Sequence, residues 1–82
     1  MLHLKVVTPD KIISDEVVDS VSLPTTSGTI TVLNKHVPLV STIKAGEMVI
    51  KKAGRGVGYA VFKGVVNVRP HEKGITEVVV LL

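Results

Sequence analysis

Leu2-His3-Leu4-Lys5-Val6 places an apolar side chain at every second position, and Thr8-Pro9-Asp10 then breaks the run. A period of two puts one side chain set on each face of an extended chain, so this stretch reads as a strand with one buried face. The pattern recurs along the chain. Val17, Asp19, Val21 and Leu23 alternate imperfectly with Val18, Ser20 and Ser22, and Pro24 is expected to end that segment. Thr25-Thr26-Ser27-Gly28 follows as a loop, with Gly28 free to take positive φ. Ile30 and Val32 alternate with Thr29 and Thr31, after which Asn34-Lys35-His36 turns into Val37-Pro38-Leu39-Val40. Proline there excludes helix and suits an edge strand.

The second half repeats the theme. Lys44-Ala45-Gly46 reads as a turn before a strand that carries Met48 and Ile50 on one face, and Ala53 to Gly58 reads as a glycine-rich hairpin tip. Val57, Tyr59 and Val61 alternate beyond it. Val66 and Val68 follow Gly64, and Pro70 to Gly74 makes a polar turn before the final run to Leu82, whose Val78-Val79-Val80-Leu81 is apolar on both faces. Valine and isoleucine are stiff at χ1 and pack well on pleated surfaces. The expected fold is all-β: one domain, residues 1–82, forming a small β-sandwich or flattened barrel of about eight to ten short, mostly antiparallel strands.

Composition narrows the chemistry. The chain has 82 residues, too few for two independent cores, and no cysteine, which excludes disulfides, thiolate nucleophiles and Cys-based metal sites. Its 45% hydrophobic and 21% charged content is that of a folded domain. No apolar run approaches the ~20 residues of a membrane-crossing helix, and the early alternation is not that of a signal-peptide core. The net charge of +3 is uneven: the chain up to Ile43 has four acids against three lysines, and the chain from Lys44 has seven basic residues against three acids. His3, His36 and His71 are widely separated with no metal-ligand spacing, and no serine sits in a Gly-x-Ser-x-Gly elbow. Neither catalytic residues nor cofactor nor metal ligands are expected. Gly54-Arg55-Gly56-Val57-Gly58 precedes a strand, so it is not a phosphate loop. A basic barrel binding nucleic acid or another polyanion through Lys51, Lys52, Arg55, Lys63 and Arg69 is the alternative class, although only Tyr59 and Phe62 are available for stacking.

Several segments, in order and spacing, resemble the N-terminal domain of the ε subunit of F-type ATP synthase: Leu4-Lys5-Val6-Val7-Thr8-Pro9-Asp10-Lys11, Val21-Ser22-Leu23-Pro24 with its Ser-Gly loop, His36-Val37-Pro38-Leu39, and Ile43-Lys44-Ala45-Gly46 running into Met48 to Lys52. The resemblance covers nearly the whole chain. It implies a non-catalytic rotor subunit of the central stalk, between the γ subunit and the membrane rotor ring, on the cytoplasmic face of the membrane or its organellar equivalent. Carried over by position, Thr26, Ser27, Gly28 and Thr29 are expected near the ring, and His36, Pro38, Leu39 and Val40 at the γ contact. Thr29 stands where the family commonly has an acidic residue. The family's C-terminal helical pair, which in some members holds ATP, has no counterpart here, so no small-molecule ligand is expected, and neither is nucleic acid or direct membrane insertion.

Overall fold

A computed structural model describes residues 2–35, 38–70 and 74–82. Among the described residues nine strands follow one another: β1 (Leu2–Val7), β2 (Ile12–Val18), β3 (Ser20–Thr25), β4 (Gly28–Leu33), β5 (Leu39–Ile43), β6 (Gly46–Lys52), β7 (Arg55–Val61), β8 (Gly64–Pro70) and β9 (Thr76–Leu81). They form one continuous sheet in the order β2-β1-β9-β8-β5-β3-β6-β7, with β4 on the other side of β3. The sheet curls into a half-barrel with the apolar residues inside. Among the described residues all pairings are antiparallel except β1 with β9. The all-β expectation holds, and the strand count falls inside the expected range.

Period two decides what is buried. Leu2, Leu4 and Val6 of β1 and Val78 and Val80 of β9 point inward, while His3, Lys5 and Val79 lie on the outer face. Met48 and Ile50 share the buried face of β6, as do Val66 and Val68 on β8. The core is aliphatic throughout.

Two readings of the stretch around Leu23 need correction. Val18 and Val21 are both fully buried, and an odd spacing cannot keep two side chains on one face of a continuous strand. The chain therefore breaks between β2 and β3 at Asp19, whose N–H donates to Lys51 O at 2.8 Å and whose Oδ2 accepts from Ala53 N at 3.0 Å. Pro24, in turn, does not end its segment but lies buried within β3, opposite Thr29. A proline inside a sheet forfeits a ladder bond. Here that gap falls where β3 leaves β6, paired only from Ser20 to Ser22, and meets β5 at Thr25↔Ile43. The Pro24 carbonyl is still used, accepting from Lys44 N at 3.0 Å. Its ring fills the space beside Gly46, where a Cβ would come within 2.9 Å of it.

Other expectations shift more mildly. β5 pairs along its length with β8 and meets β3 only at Ile43, so its Leu39 end is open on one side, and Pro38 precedes it, outside the ladder. β2 begins at Ile12, five residues earlier than the alternation suggests. Pro70 is the last residue of β8; the rest of the polar turn, like His36 and Val37, lies outside the described residues apart from Gly74.

The glycine-rich hairpin is tighter than expected. Lys52 pairs with Arg55, so the tip is only Ala53-Gly54, and both have positive φ, 52° and 79°. Positive φ at both central positions is the type I′ arrangement, which favours Asn-Gly. Ala53→Asn is expected to raise stability by about 0.5–1 kcal/mol, because alanine resists this conformation and asparagine tolerates it. A rise in Tm of roughly 2–8 °C in a thermal melt checks this; a fall would show that the turn is held by something else.

Candidate interaction surfaces

The β3–β4 hairpin presents Thr26 and Ser27 to solvent at one end of the sheet. Its geometry is set locally. Thr25 Oγ1 donates to Gly28 O at 2.6 Å and accepts from Ser27 N at 3.2 Å, and Gly28 takes φ 114°, which side chains disfavour. The hairpin is also tied across the sheet, since Thr26 N donates to Thr42 O at 3.0 Å near the end of β5. Thr29 begins the exposed side of β4. Thr26, Ser27, Gly28 and Thr29 thus form one contiguous patch on a braced turn.

Pro38, Leu39 and Val40 sit at the opposite end of β5. Pro38 is exposed, Leu39 is packed against the core edge, and Val40 is 67% exposed. Four residues of strand, about 13 Å at 3.3 Å per residue, separate Leu39 from Ile43 and the hairpin end. Near this second end, Lys35 N donates to Thr76 Oγ1 at 2.6 Å and Thr76 N to Asn34 Oδ1 at 3.1 Å, which fixes the chain entering the undescribed residues. The two sets of residues singled out from the sequence therefore lie toward opposite ends of β5, the first on the hairpin that abuts its Ile43 end and the second at its start. His36 lies outside the described residues.

The five basic residues considered for polyanion binding do not assemble. Lys52 pairs with Glu16 at 3.2 Å, and Arg69 donates to Glu77 at 2.7 Å through Nε. Lys51, Lys52 and Arg55 stand at the β6–β7 hairpin, whereas Lys63 follows β7 at the far end of that strand. Tyr59 and Phe62 are 50% and 79% exposed. The cluster considered for polyanion binding is thus dispersed.

Strand pairing does bring charged groups together elsewhere. His3 on β1 contacts Asp15 on β2 through Nε2, and its Nδ1 lies 3.8 Å from Glu77 Oε2 on β9. Glu77 also holds Arg69 on β8. This ladder crosses four strands on the outer face. Its members are exposed apart from Glu77 and the partly covered His3, so each pair contributes at most about 1 kcal/mol, and it braces the sheet more than it offers chemistry. Among the described residues no three His, Asp or Glu side chains are grouped to hold a metal. Its signal was present in the sequence only as an odd-position charge in each of four strands.

Comparison with known proteins gives the chain its relatives. A family model described as the ATP synthase, Delta/Epsilon chain, beta-sandwich domain matches residues 1–79. The chain is 36% identical over 74 residues to the ATP synthase epsilon chain of Gloeobacter violaceus, covering 90% of this chain and 56% of that protein. It is 37% identical over 70 residues to the corresponding protein of Chloroflexus aggregans, covering 85% and 50%. The chain thus spans about half the length of these curated relatives. A chain in the Euglena gracilis mitochondrial ATP synthase structure containing OSCP, F1 and c-ring superposes with a TM-score of 0.79 at 20% identity, covering 96% of this chain and 49% of that one. One in the central stalk and c-ring structure from Tetrahymena thermophila gives 0.72 at 17%, covering 99% and 63%. At these identities the two structures establish the fold, which is the half-barrel described above. With the family match running over nearly every strand, the chain belongs to the β-sandwich domain family of ATP synthase Delta/Epsilon chains.

Proposed function

We propose that the chain is a non-catalytic rotor component of a rotary ATP synthase, joining the γ subunit to the membrane rotor ring and transmitting torque for ATP synthesis coupled to ion transport. The observation that carries this reading is the placement of the two candidate patches at opposite ends of β5, a strand paired along its whole length with β8 and joined to β3 at Ile43. A coupling element between two partners needs two separate surfaces and a stiff path between them. The β5–β8 ladder from Leu39↔Val68 to Ile43↔Gly64, closed by the Thr26–Thr42 bond, supplies that path. In this reading the Thr26–Thr29 end faces the ring, the Pro38–Val40 end meets γ, and the complex sits on the cytoplasmic face of the membrane or the organellar equivalent. The relatives, which are ATP synthase epsilon chains, and the likeness to a chain of the Tetrahymena thermophila central stalk and c-ring support it. Dispersal of the basic residues speaks against the polyanion-binding alternative.

The test is co-expression with a γ subunit and recovery through a tag on γ. Val40→Lys is expected to lower recovery at least about tenfold in affinity, because an apolar contact residue is replaced by a charge that would be desolvated. Val40 is largely exposed in the free chain, so the substitution should move Tm by only a few degrees. Recovery of the variant equal to that of the parent would remove Val40 from the interface, and failure of the parent chain to associate would end the stalk reading.

A further inference from the structure

Four chain reversals and the end of β9 meet where the Thr26-Ser27 tip lies. The residues after β1, between β5 and β6, and between β7 and β8 each contribute one lysine there: Lys11, Lys44 and Lys63. Backbone bonds hold the assembly together, Thr8 N to Lys11 O and Leu82 N to Val7 O at 2.9 Å, alongside the Lys44–Pro24 and Thr26–Thr42 bonds. All three lysines are exposed, and none has an ion-pair partner among the described residues. The acids nearby do not neutralise them: Asp10 is exposed and forms no ion pair within the described residues, and Glu47 lies back over Gly58, its Oε2 2.5 Å from where a Cβ would stand.

The placement of two of the lysines is specific. The β5–β8 ladder ends at Ile43↔Gly64, and Lys44 and Lys63 are the residues next to that last pair, one on each chain segment, both exposed. Two like charges flanking one strand pair repel, and an external carboxylate between them relieves that repulsion. Apolar surface adjoins them. Phe62, beside Lys63, is 79% exposed, and Lys63 rims an open depression of about 490 Å³ whose lining includes Val7, Pro9, Val65, Leu81 and Leu82.

We propose that this end docks an acidic polypeptide loop, one carboxylate seated between Lys44 and Lys63 and a neighbouring aliphatic side chain in the depression. The charge complementarity selects the partner's chemistry. An anionic membrane is the weaker fit, since basic segments that hold such lipids bring roughly four to eight cations and this end brings three. Identifying the loop's owner as the ring-side partner rests on the function proposed above; the acidic chemistry of the loop does not.

The experiment titrates the isotope-labelled chain by NMR with a blocked peptide carrying adjacent Asp and Glu between leucines. The Asn-Gln counterpart and vesicles containing phosphatidylserine serve as separate arms. Expected are amide shifts confined to the neighbourhoods of Thr26, Lys44, Phe62 and Lys63, an affinity that falls with salt, and at least about tenfold weaker binding by the K44E/K63E double variant. Both substitutions are at exposed positions, and a thermal melt confirms folding. Absence of shifts, equal binding of the neutral peptide, shifts centred on Lys51 and Arg55, or binding to vesicles alone would overturn the proposal. If γ is recovered with the chain while the acidic peptide fails to bind, this inference falls and the stalk reading stands. Peptide binding here without γ association gives the reverse.

Discussion

Leu4→Ala is expected to destabilise the domain by about 3 kcal/mol and to lower Tm by roughly 12–24 °C. Leu4 is fully buried in the middle of β1, between β2 and the parallel strand β9, where it stands opposite Val78. The loss has two parts, the transfer free energy of the removed carbons and the cavity they leave. The cavity term should be near its upper range here. Across the sheet Leu4 stands in line with Val78 on β9 and Val68 on β8, which belong to an aliphatic core dominated by valine, and β-branched side chains have few rotamers with which to close a gap. No aromatic ring is buried in that core to swing into the space. A chain of this size carries only about 4–12 kcal/mol of total stability, so the variant should be folded at low temperature and lose structure cooperatively well before the parent. Urea unfolding followed by circular dichroism measures it. A loss under about 1 kcal/mol would mean that the inner face of the curled sheet is not closely packed at Leu4.

What the sequence disclosed, and what it withheld, follow from one rule. Alternation is readable where one face meets the core and the other meets water, as at Leu2-His3-Leu4-Lys5-Val6 and at Met48 and Ile50. It fails where a strand has no such contrast. β2 opens with Ile12 and Ile13, both more than half exposed, and turns Ser14 and Glu16 toward the inner side, because β2 is an edge of the curled sheet and its inner side is open. Asp19 was similarly hidden: a break in parity shows only when Val18 and Val21 are known to be buried together. Pro24 reads as a terminator because a local rule cannot show that β3 changes partners at that residue.

The candidate surfaces divide in the same way. The loop Thr25-Thr26-Ser27-Gly28, with Thr29 entering the next strand, is legible because turn chemistry is local, and the hairpin with its tip at Thr26-Ser27 bears that out. That they lie at the opposite end of β5 from Pro38, Leu39 and Val40 depends on the long-range pairings Thr25↔Ile43 and Leu39↔Val68. The ladder through His3, Asp15, Glu77 and Arg69 and the meeting of Lys11, Lys44 and Lys63 likewise arise from topology. Residues that meet only through tertiary pairing carry no common signature in one sequence.

Gly64→Ala is expected to cost about 3 kcal/mol, at the high end for a single added methyl group in a tight site. The reason is not backbone conformation, since Gly64 has no positive φ and alanine could adopt its dihedrals. The obstacle is space: a Cβ at this position would stand 2.3 Å from the carbonyl oxygen of Leu81 and 3.1 Å from Leu82 Cδ2. A side-chain clash is relieved by rotation, but this oxygen belongs to the backbone of β9, which is paired on one side with β8 and on the other with β1. Relief therefore requires moving one strand away from its neighbour. Gly54→Ala provides the contrast, because nothing lies within 4 Å of its Cβ and only its φ of 79° resists substitution; its cost should be about 1–2 kcal/mol. The two variants are distinguished by where the damage appears. Amide exchange in Gly64→Ala should accelerate at Val65, Leu81 and Val7, across the β8–β9–β1 junction, whereas Gly54→Ala should affect only the β6–β7 hairpin. Gly64 also adjoins Lys63, so the displaced junction should weaken acidic-peptide binding at that end even at temperatures where the domain remains folded. A Gly64→Ala protein with parental Tm and exchange would show that β9 already has room to withdraw from β8, and the stiffness attributed to the sheet between its two ends would go with it.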